Sequence, residues 1–172
     1  MIHIESPTDV YVFSQANGNK NRDQWLHAEA LLPHIHFDYF YDTDKFNIKL
    51  QSCFVRNDDR QVMLKVVGNI KEEAVKSVGD DGTSQAVTAK SGVATVENVK
   101  VPNPVNLAPY RTFVEVEQPI SEFIFRMQNG PQCALFEADG GAWKLEAMNN
   151  IRQYFEAQLQ DEIESGNVYI IA

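Results

Sequence analysis

The stretch His34-Ile35-His36-Phe37-Asp38-Tyr39-Phe40-Tyr41-Asp42 decides how the fold is read. Ile35, Phe37, Tyr39 and Tyr41 recur at a period of two, with His34, His36, Asp38 and Asp42 between them and Phe40 as the one exception. A strand sends successive side chains to opposite faces, so this pattern predicts a half-buried strand. After the polar turn Asp42-Thr43-Asp44-Lys45, alternation resumes at Phe46, Ile48 and Leu50. A second turn at Asn57-Asp58-Asp59-Arg60 leads into Gln61 to Val67, and residues 34 to 67 read as a three-stranded antiparallel meander.

Upstream, Asp9 to Phe13 reads as a short strand closed by a turn at Ala16-Asn17-Gly18-Asn19. Trp25, Ala28, Leu31 and Leu32 recur at spacings of three and four, between the capping candidates Asn21 and Asp23 and the breaker Pro33, which predicts a short amphipathic helix. Downstream, no aromatic residue occurs between Phe54 and Tyr110. Residues 71 to 109 therefore read as an arm-like insertion. Within it a projecting hairpin has its tip at Gly79 to Ser84, and an extended linker runs through Pro102, Pro104 and Pro109.

Thr112 to Val116, Phe123 to Met127 and Ala134 to Phe136 read as further strands, the last two joined at Asn129-Gly130. Asp139-Gly140-Gly141 opens one long helix whose stripe is Ala147, Met148, Ile151, Phe155, Leu159 and Ile163, with Gly166 at its C-terminal cap and a short strand at Val168 to Ile171. The expected fold class is α+β. It is a mainly antiparallel sandwich or partly open barrel, with the long C-terminal helix packed on the sheet and the hairpin arm projecting.

The chain has 172 residues, 44% of them hydrophobic, enough for one core and hence a single domain over 1–172. Its formal net charge of -9 and the absence of a basic stripe argue against direct binding to nucleic acid. No basic n-region opens the chain and no apolar run approaches the ~18 residues of a membrane helix, so no membrane association is expected. The expected setting is cytoplasmic, or assembled in a virion. Cys53 and Cys133 read as buried free thiols, a single disulfide being the alternative.

Few residues point to chemistry. On a strand, His34, His36 and Asp38 share one face and make a candidate metal edge. The same HxHxD run resembles that of metallo-β-lactamase-like hydrolases, but Tyr39 stands where that family carries a further histidine. Nucleophile and phosphate-binding motifs of the GxSxG, SxxK, GxxxxGK[ST] and GxGxxG types are absent. The leading expectation is therefore a non-enzymatic structural or assembly subunit without a cofactor, in a homo- or hetero-oligomer. Small antiparallel domains with such arms are common among viral and phage particle components of the decoration, connector or tail-completion kind. Its contact residues would be Asp80 and Asp81 at the hairpin tip, Pro102, Pro104 and Pro109 in the linker, and Trp143 at the helix start. The alternatives are a metal-dependent enzyme or metal-binding β domain using His34, His36 and Asp38, and an acidic protein-binding or inhibitory module.

Overall fold

The computed structural model describes residues 1–68, 75–80, 85–91, 94–95, 103–128 and 132–172, with 75–80, 85–91 and 94–95 as backbone. The chain builds two compact units, Met1–Leu32 with Tyr110–Pro119 and Ala142–Ala172, and Pro33–Pro109 with Ile120–Gly141. It is an α+β protein in which the described residues form two four-stranded, mostly antiparallel sheets and a smaller three-stranded one, with no closed barrel among them. No helix among the described residues is long and apolar enough to cross a membrane.

The first unit holds β1 (Ile2–Ser6), β2 (Asp9–Phe13) and β3 (Gln24–Glu29). The expected helix over Trp25 to Leu32 is thus corrected to a strand that ends at Glu29, followed by irregular chain over 30–32. Backbone pairing to β2 overrides the helical spacing, because local propensity is weak beside a ladder of hydrogen bonds. Ile2, Ile4 and Val10 form the buried face of this sheet, joined by Val12.

Against that face lies the apolar stripe of the C-terminal helix, with Ala147 and Ile151 buried and Met148, Phe155 and Leu159 packed beside the cluster. The helix is two pieces rather than one. The longer piece, Trp143–Gln158, stops at Leu159, whose backbone at φ -123 and ψ 30 leaves helical geometry before Gln160–Glu164 begins. Gly166 stands at φ +76, the left-handed conformation that favours glycine, and turns the chain as its position past the stripe implied. The last strand, Ile170–Ile171, then runs parallel to β1. Residues 112 to 116, expected as a strand, are irregular.

In the second unit the quoted stretch forms a strand only at β4 (Tyr41–Asp42). Ile35 and Phe37 do pack on the core while His34 and His36 are exposed, so the alternation of burial is present without a ladder. Asp38, at φ +58, breaks the extended path, and its N–H is taken by Leu135 O at 2.9 Å.

The other two strands of the expected meander are helices, α1 (Thr43–Ser52) and α2 (Asp58–Gly68). Asp42 caps α1 by accepting from Lys45 N at 2.8 Å, and Phe46, Leu50 and Cys53 bury one face at spacings of four and three. Ile48, the residue that suggested a period of two, is 61% exposed. Asn57 caps α2 in the same way through Arg60 N, with Asp58 and Asp59 in the first turn where the helix dipole favours anions.

The sheet of this unit runs in the order β4, Gln132–Glu137, Ser121–Gln128, Val105–Leu107. Phe123, Phe125 and Met127 alternate inward along its long strand, which covers the strand expected over Phe123 to Met127. The two cysteines are free and buried, and burial pushes the Cys133 thiol up to about 12. Val75–Asp80 and Gln85–Ser91 pair antiparallel, which gives the expected hairpin, and Ala94–Thr95 adds to its second strand. The sequence also reads Val93 to Val101 as a weak strand, of which only Ala94–Thr95 falls within the described residues.

Arg60 is a buried cation with a structural task. Its Nε donates to Leu50 O at 2.7 Å and its guanidinium to Gln51 O at 2.8 Å, two carbonyls that the end of α1 leaves unpaired. Arg60→Met keeps the aliphatic stem and strips both bonds, and is expected to lower stability by roughly 2 kcal/mol. The shift of the denaturation midpoint relative to the exposed Arg56→Met control, measured in urea, checks this expectation.

Candidate functional site

Gln118 sits at the centre of the 110–119 segment, 6% exposed, with its amide fully used. Its Oε1 accepts from Arg111 N at 2.9 Å and Thr112 N at 3.2 Å, while its Nε2 donates to Phe113 O at 2.9 Å and Val116 O at 3.2 Å. One side chain thereby satisfies four backbone groups of a segment with no ladder of its own. Thr112 Oγ1 ties the same segment to Pro7 O, and Asn150 on the long helix donates to Glu117 O at 2.9 Å.

This scaffold props one wall of a cavity of about 460 Å³. Phe113 and Val116 come from the segment, Val10, Ala28 and Ala30 from the sheet side, and Ile151, Tyr154 and Phe155 from the helix, with Glu29 and Glu115 as the charged residues of the lining. All belong to the first unit. The volume falls within the range of binding clefts, and the walls are mainly apolar.

Beside the cavity runs β3, the terminal strand of its sheet. The register pairs Asp9 with Glu29, Val10 with Ala28, Tyr11 with His27 and Val12 with Leu26. Just past the strand, Ala30 N donates to Thr8 O at 2.9 Å. Antiparallel pairs alternate between bonded and non-bonded, so this bond places Ala28 and Leu26 in bonded pairs with β2. The backbone N–H and C=O of His27 and Glu29 then face the open side, where no described residue pairs with them. The stacked rings of Tyr11 and His27, 4.2 Å apart with 2° between their planes, fit the closer approach of a non-bonded pair. Trp25 is the extra residue of a bulge between Val12 and Phe13, 71% exposed, and Leu31 beyond the strand is 92% exposed.

The two faces flanking this edge differ in chemistry. Leu26 and Ala28 share the side of Val10 and Val12, toward the cavity. Tyr11, His27, Asp9 and Glu29 share the opposite side. There Asp9 accepts from Thr8 Oγ1 and Ser6 Oγ, each at 2.8 Å, and from His27 Nε2 at 3.0 Å. Those bonds, Thr8 first, then Ser6 and then His27, hold its carboxyl below the usual value. The Tyr11 phenol is pushed up by desolvation first, then by the carboxylates of Glu5, Asp9 and Glu29.

The residues singled out in the sequence are placed elsewhere. His34 and His36 do come together, their rings edge to face at 4.4 Å, but on an irregular segment rather than a strand. Asp38 does not join them as a third ligand, and among the described residues no group of three His, Cys, Asp or Glu side chains gathers where a metal ion could sit. Trp143 is half-buried beneath the Arg111 guanidinium, 4.1 Å from its ring centre. Pro109 is buried and its backbone bridges Phe54, while Pro104 is exposed after a cis peptide bond. Asp80 is the end residue of its strand, opposite Gln85. Asp81 and Pro102 lie outside the described residues, as does the turn at Asn129-Gly130.

The edge and cavity are hidden in the sequence because Trp25, Ala28, Leu31 and Leu32 also fit the spacing of a helix. The available signal was Leu26 and Ala28 at a spacing of two, directly after a strand and turn. Comparison with known proteins finds no matching family model, curated protein or solved structure.

Two measurements probe this unit. Gln118→Ala leaves four backbone groups without their partner and is expected to cost about 2–4 kcal/mol, read from urea denaturation. For Asp9 the folded pKa lies below its ordinary 3.8, so the stabilisation is complete above that value and is lost as pH falls through the folded pKa. The stability difference between the protein and Asp9→Asn should therefore be constant near neutrality and shrink below pH 3.8, measured as Tm against pH.

Proposed function

We propose that the chain is a non-enzymatic assembly subunit that receives an extended segment of another protein chain along β3. The observation that carries this reading is the open edge itself. Natural sheets protect terminal strands with charge, proline or a covering element, because unpaired backbone groups invite another strand. Here the bulge at Trp25 is such a device at one end, while His27 and Glu29 keep outward-facing N–H and C=O groups beside a cavity sized for side chains. Strand addition draws affinity from main-chain bonds and selectivity from adjoining pockets, and both are present within a few residues.

Trp25 and Leu31 extend this surface, since large exposed apolar side chains clustered at one edge mark protein contacts. In this reading the Val75–Asp80 and Gln85–Ser91 hairpin is a second contact element, reaching a neighbour. A particle component of decoration, connector or tail-completion type is the concrete form of such a subunit.

A photoreactive benzoylphenylalanine placed singly at Trp25, at Leu31 or at the exposed helix position Glu156 tests the proposal in cells that naturally make the protein. Discrete protein adducts of one mass are expected from positions 25 and 31 and none from 156. Equal labelling at all three, or none at 25 and 31, overturns it.

A further inference from the structure

We propose that the segment received by β3 alternates apolar residues with Lys or Arg. This rests on the strand-addition reading above and adds the chemistry of the partner. A strand laid along β3 presents successive side chains to the two faces of the sheet. On one side they meet the cavity walls of Ala30, Val116 and Tyr154, which favour apolar groups. On the other they meet His27 and the Glu29 carboxylate of β3 itself, with Asp9 one strand further in and Glu5 close enough to act on the same Tyr11 phenol. A strand matched to both sides is therefore apolar at every second position and cationic between.

Charge also argues against a second copy of this chain as the occupant. Residues 24 to 33 contain no Lys or Arg, so a partner β3 brings no cation to the carboxylates. Each copy carries a net charge of -9, and pairing two acidic edges sets like charge against like.

The test uses the full chain and two capped heptapeptides, one alternating valine with lysine and the other valine with glutamate. Binding is followed by NMR of the isotope-labelled protein at low salt. The lysine peptide is expected to bind about tenfold or more tightly than the glutamate peptide, with shifts centred on the amides of His27 and Glu29. His27→Pro, which removes an outward N–H and spares the backbone ladder to β2 while giving up the side-chain contacts to Asp9 and Tyr11, should abolish that binding. Glu29→Lys, an exposed charge reversal that does not depend on the proline being tolerated, should reduce or invert the preference.

Equal affinity for the two peptides, no binding of either, shifts away from β3, or insensitivity to Glu29→Lys each overturn the inference. If cross-linking at Trp25 and Leu31 still yields its adduct in those cases, only the partner chemistry fails. If cross-linking fails as well, the assembly reading fails with it.

Discussion

The hydrogen-bond ladder between β2 and β3 is the constraint on which the first unit depends. It draws Gln24 to Glu29 out as a strand and fixes the register that stacks His27 on Tyr11. It also sets which backbone groups of that strand point away from the sheet. One choice of pairing thus places an apolar surface, an acidic surface and an open edge within a few residues of each other. The site follows from the alternation of strand side chains rather than from any catalytic motif.

A second theme is the use of single polar side chains to complete backbone bonding where regular structure stops. Gln118 serves four groups of the 110–119 segment, and Arg60 serves two carbonyls at the end of α1. Asp42 and Asn57 do the same for the starts of α1 and α2. Buried backbone groups without partners are costly, so irregular segments need such residues to be held in place. In the first unit this is what props the cavity wall, and the cavity is only as well defined as the Gln118 amide that supports it.

Much of the architecture was legible in the sequence where one period had no rival. Phe123, Phe125 and Met127 alternate and form the inward side of a strand. Ala147, Ile151 and Phe155 keep helical spacing and form a packed stripe, and Gly166 turns the chain after it. Misreadings arose where two periods fitted equally. Phe46, Ile48 and Leu50 satisfy a period of two, while Phe46, Leu50 and Cys53 satisfy a helix, and the cap from Asp42 favours the helix. Trp25, Ala28 and Leu31 satisfy a helix, while Leu26 and Ala28 satisfy a strand, and there the neighbouring β2 decides. The metal edge at His34 and His36 rested on a strand that Asp38 interrupts, and the binding edge stayed hidden behind a helix assignment.

By itself the sequence determined the α+β class, the strands at Phe123 to Met127 and Ala134 to Phe136, the helix stripe and the negative net charge, and it favoured free thiols over a disulfide. These rest on composition and on unambiguous short-range periodicity, which act within a few residues. Only the tertiary structure decided which ambiguous segments became strands or helices, and with them the cavity and the free edge. Strand pairing joins residues far apart in the chain. Its energy outweighs local preference, and a hydrogen-bond partner cannot be read from the residues that receive it.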